Sequence, residues 1–367
     1  MTNEFHEIIS GVNNIKFEKI TRVAKIKSPL EGFNLVSQKI EYRKDPLLNH
    51  WSRLNALRAE RVKQASAPGE NFQDNLNQLI ENSAKKCFFC PNNIPNSTPK
   101  FPKELGLGER ITKDDFSLFP NLFVFSEYHA VGVLGTEHFK PIDKIPAKTW
   151  KNALLGSIEY FKAITKYDPQ VKYPSINFNF LPTSASSIIH PHIQLIQDIL
   201  PTKLTGELLK ESLKYFQESG KQWNYWVDLI ESEKKLQERF IAESKSMAWI
   251  ATFSPIGKNE LTGICKLPKT DITTFNDKEV EMFSMEIEKA LKALVKGRGA
   301  SAVNMAIFLG PMHEDHSKEF RISIKIVTRP TLLPNYTADV GFMEMLHQET
   351  VGEATPENIA ESVREYF

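Results

Sequence analysis

The stretch SINFNFLPTSASSIIHPHIQLIQDIL, residues 175–200, gives the clearest indication of local structure in the sequence. Its two ends, SINFNFLP (175–182) and HIQLIQDIL (192–200), are rich in β-branched and aromatic residues and bounded by turn-forming ones, so each predicts a strand. Between them lies a loop of small and polar residues that ends in two histidines two positions apart. The stretch therefore predicts a strand, a polar loop and a second strand.

His190 and His192 flank Pro191 at the start of the second predicted strand. Side chains at i and i+2 of a strand face the same way, so both imidazoles and the Gln194 amide address one site. A neutral imidazole with one nitrogen held protonated by a backbone carbonyl can attack phosphorus, and Gln194 can donate to a non-bridging oxygen as charge develops. The alternative interpretation is a pair of structural histidines near a sheet edge.

The same order of elements occurs twice along the chain. Further strands are predicted at 121–135, 247–255, around LTGICKLP, at 302–310 and at 320–329. Helices are predicted for TWKNALLGSIEYFKAITKY and for about 277–296, where Asn276 and Glu279 have the spacing of a capping box. Strands, helix and strands in both halves predict a duplicated α+β unit built on antiparallel sheet.

These patterns predict four segments. Residues 1–39 form an N-terminal extension, residues 40–203 a first α+β domain, residues 204–244 a mostly polar helical connector, and residues 245–367 a second α+β domain. A chain of 367 residues is long for a single core, which favours such a division.

Composition excludes several classes of function. The chain has 46 basic and 45 acidic side chains and is 41% hydrophobic, the balance of a soluble globular protein and not of a nucleic-acid binder. The first thirty residues mix charge with apolar residues and predict neither a signal peptide nor a membrane span. We therefore expect a cytoplasmic protein that binds neither nucleic acid nor membrane.

The stretch CFFCPNN carries Cys87 and Cys90, two of only three cysteines. Three cysteines do not make a disulfide framework, and the Cys-x-x-Cys spacing is that of a zinc knuckle. Two further ligands would have to be histidines, and the candidates are His129, His138, His190 and, further upstream, His50. A redox pair or two unlinked thiols are the alternatives, although the Pro- and Asn-rich flank supplies no helix N-terminus to activate a thiol.

Taken in order, the motifs resemble galactose-1-phosphate uridylyltransferase and its relatives in the histidine-triad superfamily, which include nucleotide-sugar and dinucleoside phosphorylases. The similar stretches are DPLLNHWSRLNALRAERV, CFFCPNN, LFPNLF, VGVLGTEHF, NFLPTSASSIIHPHIQ and the tail GFMEML…TPENIAESVREYF. The resemblance implies an α+β fold of two histidine-triad-like halves, each an antiparallel sheet with packed helices. The set covers most of the chain.

Residue roles follow from the resemblance position by position. It implies that His192 is the nucleophile and that Gln194 stabilises the phosphoryl oxygens. It implies structural zinc as the cofactor. The residues implied to bind substrate are Arg58, Arg61, Asn121, Asn179, Ser187 and Glu344. The residues implied to bind zinc are Cys87, Cys90, His138 and His190.

The implied reaction is a ping-pong transfer of a nucleoside monophosphate, UMP in the uridylyltransferases, from a nucleotide sugar to a hexose 1-phosphate through nucleotidyl-His192. A phosphorylase of ADP or ATP type, with inorganic phosphate as acceptor, is the alternative. A non-catalytic nucleotide-binding protein and a hydrolase are further hypotheses. Family members are commonly dimers, so the resemblance is compatible with a homodimer, while the sequence itself establishes no interface.

The chain departs from the family's pattern in four places. Leu122 stands where a carboxylate is expected in the base pocket, and the loop LPTSAS replaces a glycine-rich one. Ser323 and Lys325 stand where some relatives have two metal-binding histidines, so we expect that second metal site to be absent. Around the sugar-binding region the chain has an apparent one-residue insertion beside Glu344. In addition, His313 and His316 are predicted to lie in a polar loop, and Cys265 to pack as an apolar residue.

Overall fold

Two β-sheets and eight α-helices make up the computed structural model, which describes residues 5–60, 71–333 and 335–367. The predicted α+β class is confirmed. Among the described residues, no helix combines the length and the apolar character that crossing a membrane requires.

The strands follow one another in the order expected of a duplicated unit. They are β1 (Phe5–Ser10), β2 (Lys16–Ser28), β3 (Asn34–Lys44), β4 (Trp51–Leu54), β5 (Ile111–Lys113), β6 (Phe116–Pro120), β7 (Tyr128–Leu134), β8 (Tyr173–Phe180), β9 (His192–Asp198), β10 (Phe240–Glu243), β11 (Met247–Ala251), β12 (Leu261–Cys265), β13 (Ala302–Phe308), β14 (Ser323–Arg329) and β15 (Val351–Gly352).

Helices lie between these strands and after them. They are α1 (Phe72–Ala84), α2 (Ile94–Ser97), α3 (Ala147–Tyr167), α4 (Lys203–Glu218), α5 (Tyr225–Leu236), α6 (Asp277–Arg298), α7 (Phe342–Leu346) and α8 (Pro356–Arg364). The predicted capping box of α6 is confirmed: the Asn276 side chain accepts from the Glu279 N–H, and the Glu279 carboxylate accepts from the Asn276 N–H.

The larger sheet has ten strands in the order β10-β11-β12-β14-β13-β8-β9-β7-β6-β5. Outwards from the β8–β13 pair, the first half runs β8, β9, β7, β6, β5 and the second runs β13, β14, β12, β11, β10. The two halves thus repeat one strand order, and the antiparallel pairing of Asn179 with Asn304 lies on the seam between them. The division of the chain into separate domains remains a prediction.

Helices α3 and α6 pack on one face of this sheet. Gly156 permits the close approach of α3, because a Cβ at that position would lie 2.5 Å from the Phe116 ring. On the opposite face, α4 and α5 cover the second half of the sheet. These two helices form the predicted helical connector. The cysteine segment covers part of the first half through Phe89 and Ile94. The start of β9 lies beside this segment.

The largest differences from the sequence-based expectation are a late strand start and an additional strand. The predicted strand 121–135 begins only at Tyr128, because the Asn121 side chain accepts from the Phe123 N–H at 2.9 Å and turns the chain out of the sheet. The apolar side chains of 122–125 are consequently exposed. The connector also ends in a strand, β10, which pairs with β11.

The N-terminal extension is itself ordered into sheet from residue 5. Strands β1, β2, β3 and β4 form a second sheet, with β15 added in parallel to β4. His313 and His316 lie in the loop between β13 and β14, as predicted, and His316 pairs with Glu314 and Glu319. Cys265 is fully buried in β12, also as predicted.

Candidate active site and metal centre

Four side chains from distant parts of the chain converge beside the start of β9. The ligand atoms of Cys87, Cys90, His138 and His190 lie within 4.8 Å of one another. Cys90 Sγ is 3.5 Å from His138 Nδ1 and 3.9 Å from His190 Nδ1, and Cys87 Sγ is 3.9 Å from His190 Nδ1. This cluster can hold a metal ion, and it contains two of the four candidate histidines and neither His129 nor His50.

Both histidines of the cluster are oriented by a second contact. His190 Nε2 donates to the Gly135 carbonyl oxygen at 3.1 Å, and His138 Nε2 donates to Ser83 Oγ at 2.9 Å, whose own proton goes to the Leu79 carbonyl. Each imidazole therefore carries its proton on Nε2 and turns the Nδ1 lone pair to the cluster, as outer contacts of metal-bound histidines do. Burial lowers the pKa of His190 to about 4, which keeps it neutral.

The cysteine segment is stabilised by hydrogen bonds from Asn93 to the backbone carbonyls of both cysteines. The Asn93 side chain donates to the Cys87 carbonyl at 2.8 Å, and the Asn93 N–H donates to the Cys90 carbonyl at 2.8 Å. Burial and the neighbouring Cys87 raise the pKa of Cys90 to about 11. Phe89 packs edge-on against Phe119 of β6 and against His192, with ring centroids 5.6 and 5.2 Å apart. The segment thus connects the cluster of candidate metal ligands to the sheet.

His192 is held in one tautomer by its backbone neighbour. Its Nδ1 donates to the carbonyl oxygen of His190 at 2.9 Å, which leaves the lone pair on Nε2. Nε2 makes no hydrogen bond with any residue that the structure describes. His192 is 6% exposed as a residue, and burial lowers the pKa of its imidazole, which favours the neutral ring.

The sheet register places amide side chains around this imidazole. Gln194 follows His192 on the same face of β9 and pairs with Asn177 of β8, and Asn179 lies one step further along that strand. Asn179 accepts a hydrogen bond from Asn304 Nδ2 at 2.6 Å. The structure therefore brings His192, Gln194 and Asn179 to one face of the sheet.

The loop before His190 takes a strained path. Leu181 and Ala185 have positive φ, 71° and 68°, at positions that glycine adopts more readily. Ser184 and Ser186 hold the loop by donating to the carbonyl oxygens of Leu181 and Ile188. Ser187, which follows Ser186, is exposed, and its assignment to phosphate binding remains a prediction.

Two other predicted substrate residues lie in a separate cavity. Arg58 and Glu344 line a cavity of about 220 Å³ together with Lys258 and Asp339, and His192 is not among the residues that line it. Both Glu344 carboxylate oxygens accept backbone hydrogen bonds, from Gly341 and from Val351. Arg61 lies outside the described residues. The roles of these three residues remain predictions.

Sequence reasoning missed three residues of the region. His129 was considered only as a metal ligand, but its Nε2 lies 2.9 Å from Gln194 Oε1 and 3.0 Å from Asn121 Nδ2. Asn304 binds Asn179, and Arg329 binds Asn304 at 2.7 Å. His129 and Asn304 are polar residues inside predicted strands, a signal that marks them for attention but does not identify their neighbours.

Comparison with known proteins shows which family the chain belongs to. An uncharacterized protein of Archaeoglobus fulgidus is 30% identical over 354 residues, which cover 96% of this chain and 99% of that protein. The chain belongs to the same family as this archaeal protein. No protein-family model matches the sequence.

Solved structures share the fold of this family. An ADP-glucose phosphorylase from Arabidopsis thaliana with bound ADP-glucose is 18% identical, with a TM-score of 0.69 over 89% of this chain and 99% of that chain. A GalT-like protein from Arabidopsis thaliana is 18% identical, with a TM-score of 0.66 over 88% and 98%. A uridylyltransferase is 16% identical, with a TM-score of 0.63 over 89% and 97%. The resemblance to the uridylyltransferases is confirmed at the level of the fold.

Proposed function

We propose that the protein is a nucleotidyltransferase that works through a covalent nucleotidyl-His192 intermediate. The proposed donor is a nucleotide sugar, the transferred group is UMP, and the acceptor is a hexose 1-phosphate. The observation that carries the proposal is the hydrogen bond from His192 Nδ1 to the His190 carbonyl, because it directs the free lone pair of Nε2 to the face that also presents Gln194 and Asn179.

The chemistry consists of two displacements at one phosphorus atom. The Nε2 lone pair attacks the α-phosphorus, a P–N bond forms, and the P–O bond to the β-phosphate breaks so that sugar 1-phosphate leaves. A phosphate oxygen of the acceptor then attacks the same phosphorus, and the P–N bond electrons return to Nε2. Two inversions retain the configuration, and the Gln194 and Asn179 amides are suited to stabilise the equatorial oxygens in both steps.

A phosphorylase is the second candidate, and Leu122 favours it. This residue stands where the uridylyltransferase pattern has a carboxylate, and 67% of it is exposed. The nucleotide pocket therefore departs from the uridylyltransferase pattern. A solved ADP-glucose phosphorylase also shares the fold of this chain, which supports an adenosine nucleotide with inorganic phosphate as the acceptor. The first displacement at His192 is the same in both candidates.

Zinc is the proposed metal of the Cys87, Cys90, His138 and His190 cluster. Zinc–sulfur and zinc–nitrogen bonds of about 2.3 and 2.05 Å in a tetrahedron separate sulfur from nitrogen by about 3.6 Å. Three of the four sulfur–nitrogen separations, 3.5 to 3.9 Å, are close to this value. All four positions are taken by protein ligands, so the ion would hold the cysteine segment and the His190 loop in place.

The deciding experiment is intact-protein mass spectrometry after incubation with UDP-glucose, ADP-glucose and ATP in separate reactions. We expect an acid-labile adduct of one nucleoside monophosphate, and its mass names the nucleotide. Chasing the adduct with glucose 1-phosphate, galactose 1-phosphate or inorganic phosphate then separates transferase from phosphorylase. Loss of the adduct as free mononucleotide without any acceptor would indicate a hydrolase.

Two variants control this experiment. His192→Gly removes the nucleophile and should abolish the adduct. His316→Gly removes an imidazole of the loop between β13 and β14 and should leave the adduct unchanged. A folded, metal-loaded wild-type protein that binds a donor without any adduct would instead indicate a nucleotide-binding protein.

A further inference from the structure

A buried imidazole lies between two amide side chains, those of Gln194, to which the proposed function gives a role, and of Asn121, which the family resemblance implies to bind substrate. His129 of β7 is 2% exposed and shares a sheet face with Gln194 of the neighbouring β9. Its Nε2 is 2.9 Å from Gln194 Oε1 and 3.0 Å from Asn121 Nδ2. The Phe125 ring covers it at a centroid distance of 4.2 Å.

The two contacts make opposite demands on one nitrogen. Gln194 Oε1 only accepts, so it needs a proton on His129 Nε2, whereas Asn121 Nδ2 only donates and needs a lone pair there. Reversing the Asn121 amide does not resolve the conflict without loss, because Asn121 Oδ1 already accepts from the Phe123 N–H at 2.9 Å. With the amides in these orientations, only one of the two hydrogen bonds can form. Reversing the Gln194 amide would direct two donors at His129 Nε2 and would require the ring proton on Nδ1.

The second ring nitrogen of His129, Nδ1, indicates which of the two hydrogen bonds forms. His129 Nδ1 is buried and has no hydrogen-bond partner among the described residues. A proton on Nδ1 would be a buried donor without a partner, which native structures rarely contain, whereas an unpaired buried acceptor is tolerated more often. Burial also lowers the pKa of His129, so the ring does not carry both protons. The proton therefore belongs on Nε2.

We propose that His129, as its Nε2–H tautomer, is a positioning residue that donates to Gln194 Oε1 and thereby turns the Gln194 amide nitrogen toward the phosphoryl oxygens. The inference rests on the proposed function of Gln194. Without this donor, the Gln194 amide is free to reverse and to present its oxygen to an anionic group. Gln194 Nε2 makes no hydrogen bond within the described part of the chain, so it remains available to substrate.

A proton on His129 Nε2 also leaves the Asn121 amide without a hydrogen bond to the imidazole. With a proton on His129 Nε2, the Asn121 NH₂ group has no lone pair to bind there and remains available for the nucleotide. A single tautomer thus prepares two donors, one for the phosphoryl group and one on the base side. Fixing such donors before substrate arrives is how electrostatic stabilisation of a transition state is achieved.

The first test compares single-turnover rates of nucleotidyl-His192 formation in His129→Leu and His129→Gln. Leucine fills the space without a donor, while glutamine places an amide N–H near the position of Nε2. We expect His129→Leu to slow the step by about 10- to 100-fold, the usual effect of losing an outer positioning contact, with little change in donor dissociation constant. We expect His129→Gln to stay within about threefold of the wild type.

A double-mutant cycle with Gln194→Ala shows whether the effect passes through Gln194. If it does, His129→Leu adds less than about threefold in the Gln194→Ala background. Equal slowing by leucine and glutamine at residue 129, or full multiplication of the two single effects, would overturn the proposal. Metal content and thermal unfolding of each variant are measured alongside, to identify any general loss of structure.

The tautomer is measured independently of activity. Imidazole ¹⁵N NMR of histidine-labelled wild-type protein, with the His129→Leu spectrum as the assignment control, distinguishes a protonated Nε2 from a protonated Nδ1. A proton on Nδ1 would refute the inference even if the enzyme forms its adduct. A proton on Nε2 in a protein that forms no adduct would contradict the proposed function and leave the positioning geometry standing.

Discussion

His190 and His192 are joined by a hydrogen bond from the Nδ1–H of His192 to the carbonyl oxygen of His190, 2.9 Å long. The His190 side chain belongs to the metal cluster, with Nδ1 3.9 Å from the sulfur atoms of Cys87 and Cys90. One residue thus contributes its ring to this candidate metal site and sets the tautomer of the neighbouring imidazole with its backbone carbonyl. An interaction that stabilises the position of His190 in the cluster therefore also stabilises the orientation of the His192 ring.

We expect Cys87→Ser to lower the free energy of unfolding by at least about 3 kcal/mol, because removing a thiolate ligand loses metal-binding energy that stabilises the folded state. The main effect should be on stability, and the molecules that remain folded should keep most of their turnover. Chemical denaturation combined with metal analysis checks this. The control is Cys265→Ser, which disturbs the buried β12 strand but should leave the metal content unchanged. Loss of activity at unchanged stability would contradict a structural metal.

Asn304→Ala should destabilise the protein by about 2–3 kcal/mol, since it leaves Asn179 and the Ser184 carbonyl without their donor and Arg329 Nη1 without its acceptor. The Asn179 amide also becomes free to rotate, so adduct formation should slow. Denaturant unfolding and the single-turnover rate measure the two effects. Asn177→Ala is the matched control on the same face, and it removes one hydrogen bond, from Ser175. Equal stability losses in both variants would argue against a special role for Asn304.

Ala185→Gly should stabilise the protein by about 0.5–1 kcal/mol, because Ala185 is exposed and held at φ 68°, where a Cβ is unfavourable. Ala185→Val is the opposite control and should destabilise it by more than about 1 kcal/mol, since a β-branched residue tolerates this conformation worst. Thermal unfolding of both variants decides the matter. Glycine that destabilises, or valine without effect, would show that the loop relaxes to another path.

Acid unfolding should depend on Glu357. Burial alone would raise the pKa of this carboxyl, but both its oxygens bind Arg43, and Arg239 adds a third contact, which together lower the pKa to about 2. A depressed folded-state pKa stabilises the protein above the unfolded value of 4.5, and this stability is lost as the pH falls from 4.5 toward 2.

Glu357→Gln should therefore remove about 2–3 kcal/mol at neutral pH and flatten the decline of stability below pH 4.5. Denaturant unfolding at several pH values measures this. Glu361→Gln, an exposed position on the same helix α8, should leave the pH profile unchanged. A wild-type profile in Glu357→Gln would show that other carboxyls control acid unfolding.

The strand, loop and strand around His190, the helices α3 and α6, and the capping box at Asn276 were all predictable, because their signals are local in sequence. The four metal-cluster residues were identified through the order of motifs, while spacing alone left four candidate histidines. Local apolar character was misleading at 121–127, where a side-chain hydrogen bond of Asn121 ends the sheet before Phe123. Residue composition cannot show that this side-chain hydrogen bond is more favourable than continued strand pairing.

The α+β class, the two strands around the loop and the identity of the chemical groups can all be read from the sequence, since periodicity and residue type are local properties. Which of these groups come into contact depends on the tertiary structure. His129 reaches Gln194 across 65 residues and Asn304 reaches Asn179 across 125. Both contacts depend on strand register, which the packing of the whole sheet sets, and a slip of one residue would turn these side chains to the opposite face.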